Sequence, residues 1–333
     1  MKTALKKQRL PLFFLGVALL FPLFTDNQYF IYVVGLSFIY AIAVFGLNLI
    51  GGYTGQLSLA HAGFFAIGAY SLGLLTVDGG VPYWLAFLLA LIITTVAGTL
   101  VGLIALRTKE HFFAIYTLCV GYIIYLVIYE WDALTGGVRG LIGIEGFAPI
   151  GMLTFNSSTS SYYLVLVFLV LTVLFMKFLT ESIVGRTYVA IRNSEELAQT
   201  IGINTMKQKL ISFVLSTFLA GLAGALYASF TRFIGPDISY TMMMFDMLTF
   251  ALVGGLGTLF GPVVGTLLIV ILTQSLQFME DYRMLIFGPL LVMIVIFYPR
   301  GLVGGYLVWK AKRAYKKRQH EFEEKGSTYE GGD

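Results

Sequence analysis

Long apolar stretches recur along almost all of this 333-residue chain, and they constrain its fold more than any other feature. A helix that crosses the hydrocarbon core of a membrane needs roughly 20 mostly apolar residues. About ten stretches meet this requirement, at 10–25, 30–50, 57–77, 84–106, 111–131, 162–180, 209–230, 241–259, 263–280 and 284–299. Because lipid offers no partner to unpaired backbone groups, these stretches predict an all-α polytopic membrane protein.

The composition agrees with this class and excludes several others. Hydrophobic residues make up 58% of the chain and charged residues only 12%, far from the balance of a soluble domain. The single cysteine, Cys119, excludes an internal disulfide and a multi-cysteine metal site. The net charge of +4 gives no support to a nucleic-acid partner, because in a membrane protein the placement of basic residues reports orientation.

Most basic residues cluster on one side of the predicted membrane, with Arg139, Arg232 and Arg283 as the exceptions. The clustered residues precede the first span, follow the fourth, separate the sixth from the seventh and follow the last. With ten alternating crossings these groups share one side, which the positive-inside rule makes cytoplasmic. We therefore expect both termini in the cytoplasm. We also expect a transmembrane domain at 1–309 and a flexible tail at 310–333, whose basic first part fits contact with anionic membrane lipid.

One polar segment, 181–208, interrupts the apolar pattern. Asn193 can cap a short helix at about 194–201, with Glu196 reaching back to the cap, and Gly202 suits the left-handed residue that ends a helix. This pattern predicts a short helix on the cytoplasmic side.

The predicted short helix carries a small apolar stripe. Leu197 and Ile201 are four residues apart, with Ala198 beside them, so they share one face. Such a face either enters a partner's groove or lies on the membrane surface, and the pattern alone leaves both open.

Five stretches together resemble the permeases of ABC importers for branched-chain amino acids. They are GLNLIGGYTGQLSLAHAGFFAIGAY at 46–70, LTGGVRGLIGI at 134–144, GRTYVAIRNSEELAQTIGINTMKQKL at 185–210, GGLGTLFGPVVGTLL at 254–268 and FYPRGLVG at 297–304. The TGG loop and the YPRGL ending are more similar to the LivM type than to the LivH type.

The resemblance implies a multi-pass permease subunit of a bacterial inner membrane that carries leucine, isoleucine and valine. It implies four kinds of partner: a second permease of LivH type, two cytosolic ATPases that use ATP and Mg, an extracytoplasmic substrate-binding protein, and membrane lipid. No G-x-x-x-x-G-K-[ST] loop occurs in the chain, so we expect it to bind no cofactor and to be no ATPase itself. By the same resemblance, the ATPase-coupling residues are Gly185, Arg186, Ala190, Arg192, Glu195, Ala198, Gly202 and Ile203.

A second group of residues is a candidate translocation path. Its members are glycines or polar residues within the predicted spans: Gly51, Gly52, Gly55, His61, Asp246, Gly254 and Gly255. For the glycines, close helix packing is favoured over substrate contact. For His61, a hydrogen bond to a neighbouring backbone is favoured over a proton relay. Asp246 either receives the substrate's ammonium or caps a helix N-terminus.

Two glycine-rich segments are weakly similar, GGYTG at 51–55 and GGLGTLFG at 254–261. This similarity would suit two five-helix inverted halves, as in many transporters. Gly98 and Gly102 have the spacing that lets membrane helices approach closely.

Two alternatives to branched-chain amino acid import remain open. A related importer would carry urea, short amides or other amino acids. An ion-coupled secondary transporter would work without ATPase subunits. A membrane enzyme has little support, since the three histidines form no H-E-x-x-H pair.

Overall fold

The computed structural model describes residues 16–25, 27–108, 111–275, 293, 300–313 and 315. Its longer helices, numbered α1 to α10 here, are α1 (Gln28–Leu47), α2 (His61–Val77), α3 (Tyr83–Ala105), α4 (His111–Glu130), α5 (Ser158–Glu181), α6 (Ile183–Asn193), α7 (Glu195–Thr200), α8 (Thr205–Thr231), α9 (Thr241–Gly254) and α10 (Gly261–Ser275). Helix α1 continues as a π-helix, Asn48–Tyr53. Residues 16–24 and 301–313 are also helical.

Five of the described helices are long and apolar enough to cross a membrane, namely α1 with its π-helical extension, α3, α4, α5 and α8. The expectation of an all-α polytopic membrane protein is therefore confirmed. Apart from residue 293, the predicted span 284–299 lies outside the described residues, as do residues 10–15 of the predicted span 10–25, so the count of ten stays a prediction.

Two predicted spans are shorter than the sequence indicated. The span at 57–77 becomes helical only at His61, and the span at 241–259 ends at Gly254. Gly255 (φ +111°) ends the helix at 254, because its backbone conformation interrupts a right-handed helix. Before His61, the backbone N–H of Leu59 donates to the Thr117 hydroxyl at 3.0 Å and not to a helical carbonyl.

Helix α8 lies at the centre of the bundle and packs against α1, α2 and α3. Small residues make this packing close. A Cβ added to Gly68 of α2 would lie 2.2 Å from the carbonyl oxygen of Gly221 of α8, and one added to Gly98 of α3 would lie 2.0 Å from the hydroxyl of Thr217. The close-packing interpretation of Gly98 is thus confirmed, because a side chain there would separate α3 from α8.

The loops gather at two ends of the bundle. The first end, called the basic end from here on, holds the segments 52–60, 182–204 and 255–260, together with Arg107, Lys207 and Lys209. The opposite end holds the loop 131–157. There β1 (Leu141–Ile142) pairs antiparallel with β2 (Phe233–Ile234).

Two further sequence expectations meet the structure here. The helix 301–313 runs across the predicted boundary between 309 and 310, and residues 316–333 lie outside the described part.

The glycine segments 51–55 and 254–261 contact each other at the same end of the bundle. In an inverted repeat, the equivalent segments of the two halves would lie at opposite ends of the bundle. The similarity between these two glycine segments therefore gives no support to two inverted halves, and that arrangement stays a prediction.

Candidate functional site

The polar segment folds into two short helices, α6 and α7, each started by a serine. The Ser182 hydroxyl accepts a hydrogen bond from the backbone N–H of Gly185 at 3.3 Å, and the Ser194 hydroxyl accepts one from Leu197 N–H at 3.2 Å. These contacts satisfy backbone donors that a helix start leaves unpaired. Gly202 has φ +86°, which confirms the predicted helix end.

The prediction that Asn193 caps the short helix is wrong. Asn193 is the last residue of α6, and Ser194, with extended backbone (φ −162°), is the cap of α7. The error arose because α6 was not foreseen, and an Asn that ends one helix cannot adopt the extended backbone that a cap requires.

Helix α6 turns back sharply against the end of α5. A Cβ on Gly185 would lie 2.4 Å from the carbonyl oxygen of Leu179, so only glycine fits this turn. Tyr188 and Ile191 are buried beneath the helix, and burial raises the pKa of Tyr188 to about 12. The signals that could have revealed α6 are the Ser182 cap and the apolar spacing of Tyr188 and Ile191.

The Arg192 side chain turns toward the membrane helices. From the last turn of α6, its Nη1 donates a hydrogen bond to the carbonyl oxygen of Gly52, at the end of α1. A Cβ on Gly55 would lie 3.0 Å from Cγ of Arg192, so the chain after α1 passes directly against this side chain. Arg192 therefore links α6 to the segment that ends the first described span.

Asn48 joins the end of α1 to the loop between α9 and α10. Its Oδ1 accepts a hydrogen bond from Gly257 N–H at 2.7 Å, and its Nδ2 donates to the carbonyl of Thr258 at 2.9 Å. A Cβ on Gly52 would lie 2.4 Å from the Gly257 nitrogen. We call Asn48, Gly52, Arg192 and Gly257 the glycine junction.

Sequence reasoning missed Asn48. The sequence did contain a signal, an asparagine within an apolar span. A side-chain amide is costly in lipid unless it is hydrogen-bonded within the protein. In the structure Asn48 is buried and both of its amide atoms are hydrogen-bonded.

Helix α7 is fixed to α8 by an ion pair and a hydrogen bond. Lys209 Nζ lies 2.5 Å from Glu195 Oε2, with 6% of the lysine side chain and 36% of the glutamate side chain exposed. Gln199 Nε2 donates to the Thr205 hydroxyl at 3.0 Å. Of the predicted coupling residues, Arg192 and Glu195 are thus engaged within this chain.

The other face of α7 is exposed. Leu197 is 64% exposed and Ile201 is 69% exposed, whereas Ala198 between them is buried against the protein. The remaining predicted coupling residues divide between the two faces. Arg186 and Gly202 are exposed, Ala190 and Ile203 are half-buried, and Gly185 is buried.

The predicted path residues do not form one site. Gly52 belongs to the glycine junction, and Gly254 and Gly255 lie in the adjoining turn, where a Cβ on Gly254 would lie 1.9 Å from the Gly261 carbonyl oxygen. Gly51 and Gly55 flank Gly52. Asp246 lies eight residues before Gly254 on α9, about 12 Å away along the helix axis.

His61 and Asp246 have structural settings of their own. His61 is buried, and its Nε2 lies 2.6 Å from the Ser216 hydroxyl, which joins α2 to α8. Both the Ser216 hydroxyl and the backbone of Ser58 lie near the His61 ring, in line with the favoured interpretation of His61 as a hydrogen-bonded structural residue. Asp246 is the sixth residue of α9, half-buried near Tyr40 and beyond the first turn, so the interpretation of Asp246 as a helix cap is wrong.

The fold and this site define a helical multi-pass membrane protein in which an exposed two-helix segment is bonded to several membrane helices. The chain belongs to the family described as branched-chain amino acid transport system, permease component, whose family model matches residues 29–295.

Individual relatives agree with the family. The chain is 30% identical over 290 residues to the high-affinity branched-chain amino acid transport system permease protein LivM of Escherichia coli, a match that covers 80% of this chain and 68% of LivM. It is 26% identical over 291 residues to LivH of E. coli, covering 81% and 93%. It is also 26% identical over 284 residues to BraD of Pseudomonas aeruginosa, covering 80% and 91%. No solved structure matches the chain.

Proposed function

We propose that this chain is the membrane-spanning permease subunit of an ATP-driven importer of leucine, isoleucine and valine. Its family and the named transport systems of its relatives support this activity and substrate class. The greater identity to LivM than to LivH favours the LivM position, with a LivH-type chain as the second permease. ATP and Mg are used by two cytosolic ATPases, and an extracytoplasmic binding protein supplies the amino acid.

The basic end is the cytoplasmic end in this proposal. The positive-inside rule supports that orientation, because Arg107, Arg186, Lys207 and Lys209 all lie there. The termini are then cytoplasmic and the membrane is the bacterial inner membrane.

The exposed pair Leu197 and Ile201 is the observation that carries the coupling role. Two large apolar side chains stand on a short helix whose opposite face is bonded to the protein. Amphipathic helices of this form bind by placing their apolar face in a partner's groove. In the proposal, that groove belongs to an ATPase subunit.

The inward contacts give a route by which the docked ATPase moves the membrane helices. Glu195 holds α7 to α8, and Arg192 holds α6 to the end of α1. Asn48 then holds the end of α1 to the turn between α9 and α10. A displacement of the segment therefore changes how the two glycine loops meet at the cytoplasmic end, which is how we propose that the path there opens and closes.

Co-purification and uptake test the proposal. A tagged chain is expressed with its ATPases, second permease and binding protein, and uptake of labelled leucine is measured with isoleucine, valine or urea as competitor. We expect the ATPases to co-purify and only the branched-chain amino acids to compete. Competition by urea alone would change the substrate, and ion-driven transport by the purified chain in liposomes would overturn the importer assignment.

The docking face has a matched control at the opposite end. Leu197→Ser with Ile201→Ser should reduce co-purification of the ATPases at least tenfold. Leu153→Ser, at a position with 66% exposure on the opposite loop, should leave it unchanged. Equal losses in both variants would contradict docking through α7.

A further inference from the structure

A long apolar groove opens on the membrane-facing surface between α3, α5 and α8, far from the glycine junction. Its volume is about 910 Å³. Leu219 and Leu222 of α8 form its floor and are nearly fully buried, whereas Leu88 of α3 and Leu171 of α5 form its rims and are 57% and 55% exposed.

The groove presents almost no polar group. Two threonines line it, but the Thr95 hydroxyl donates to the carbonyl of Leu91 at 2.6 Å and the Thr172 hydroxyl donates to the carbonyl of Phe168 at 2.8 Å. Both hydroxyls are thus satisfied within their own helices. An occupant needs no hydrogen-bonding group below the mouth.

The groove extends from one end of the bundle past its middle. It runs from Trp84 to Thr95 along α3, which is about 16 Å at the rise of an α-helix. The hydrocarbon core of a bilayer is about 30 Å thick, so a single leaflet contributes about 15 Å. On α8 the lining also includes Val214, near the start of that helix at Thr205, so the groove covers the leaflet opposite the basic end and continues past the midplane.

The mouth of the groove has the character of a membrane interface. Trp84 stands there, and its indole Nε1–H donates to the carbonyl of Pro149 at 3.4 Å. Tryptophan is enriched at the level of lipid headgroups, where its ring is apolar and its N–H is wet. The loop residues Ile150 and Gly151 complete the mouth.

A helix of another subunit fits the groove poorly. Close helix contacts in membranes use small residues, whereas the helical walls here carry Phe87, Phe168 and Phe218.

We propose that this groove is a binding site for one phospholipid, whose acyl chains lie between α3 and α5 with the headgroup beside Trp84, at the end opposite the basic end. The proposal rests on the membrane-spanning fold and is independent of the transported substrate. The lipid fills a gap that the side chains of the bundle leave open, so it is held longer than the lipids around it.

Retention of lipid in detergent tests the site. The complex is purified in a mild detergent, exchanged into fresh detergent, and its bound phospholipid is counted by native mass spectrometry. The variant Leu88→Trp, alone and with Leu171→Trp, places indole rings at the groove rims. The control Leu100→Trp changes a residue of the same helix with 60% exposure that does not line the groove.

We expect one retained phospholipid in the unmodified chain and in Leu100→Trp, and at least a fivefold lower occupancy in the double variant. Adding phosphatidylethanolamine should raise the unfolding temperature of the first two proteins and not that of the double variant. Equal occupancy in all variants would overturn the site. A cysteine at position 88 that crosslinks to the second permease would also overturn it, since a protein would then occupy the groove.

Discussion

The two faces of the α6–α7 segment differ in what they contact. The inner face is bonded to the chain's own membrane helices through Arg192, Glu195 and Gln199. The outer face presents Leu197 and Ile201, both more than 60% exposed. An exposed apolar face on a firmly bonded element suits a surface that receives a partner and passes its movement inward. A loosely held loop would absorb that movement instead.

The largest expected loss of stability and uptake follows from adding one methyl group at Gly52, the residue that Arg192 contacts from the inner face. In Gly52→Ala, the new Cβ would meet Asn48 Oδ1 at 2.3 Å and the Gly257 nitrogen at 2.4 Å. Because backbone must move, we expect a destabilisation of about 3 kcal/mol and the loss of most uptake. Gly51→Ala is the control, since its Cβ would meet nothing closer than 3.9 Å. The free energy of unfolding in detergent and the rate of leucine uptake are measured for both variants. Equal effects of the two substitutions would show that the glycine junction has no special role.

The next effect separates Arg192 from another arginine of the basic end. Arg192→Leu removes the charged donor to the Gly52 carbonyl, a contact that we expect to be worth about 2 kcal/mol. Uptake should fall about tenfold or more while ATP hydrolysis by the complex persists. Arg107→Leu, at another exposed position of the basic end and outside the predicted coupling residues, should keep uptake within twofold. If Arg192→Leu lost ATPase binding instead, Arg192 would belong to the docking face.

A double-mutant cycle measures the contact that holds α7. Glu195→Gln leaves the buried Lys209 without a charged partner, and Lys209→Met removes the partner of Glu195. The pair is only partly buried, so we expect a coupling energy of about 1–2 kcal/mol, between surface and buried pairs. The double variant should be more stable than Glu195→Gln alone. A coupling energy near zero would show that α7 is held by its other contacts.

The smallest effect tests the corrected helix start. Ser194→Ala should lower the local stability of α7 by about 1 kcal/mol, because its hydroxyl accepts from Leu197 N–H. Asn193→Ala should change it by much less, since Asn193 caps nothing here. Amide hydrogen exchange at 195–201 reports both values. The reverse order would restore Asn193 as the cap.

Local patterns in the sequence predicted much of the fold and the outer face of the site. Apolar length gave the spans, and the four-residue spacing of Leu197 and Ile201 gave the exposed stripe. Gly202 marked a helix end through its conformational freedom. Each of these features depends on residues within a few positions of one another, where helical periodicity carries the information.

The inner face could not be predicted in this way. Arg192 bonds to a residue 140 positions away, His61 to one 155 away and Asn48 to one 209 away. Such pairs depend on how the helices pack, which no local spacing records. For that reason Arg192 and Glu195 were expected to face a partner, whereas the structure bonds both within the chain.

Site-directed crosslinking tests the division between the two faces most directly. In a Cys119→Ser background, single cysteines replace Leu197, Ile201, Arg192 or Leu153, and a short thiol crosslinker is added to the assembled transporter. The account predicts crosslinks to the ATPase from positions 197 and 201, and none from 192 or 153. Crosslinks from 192 as strong as those from 197, or none from 197 and 201, would contradict it.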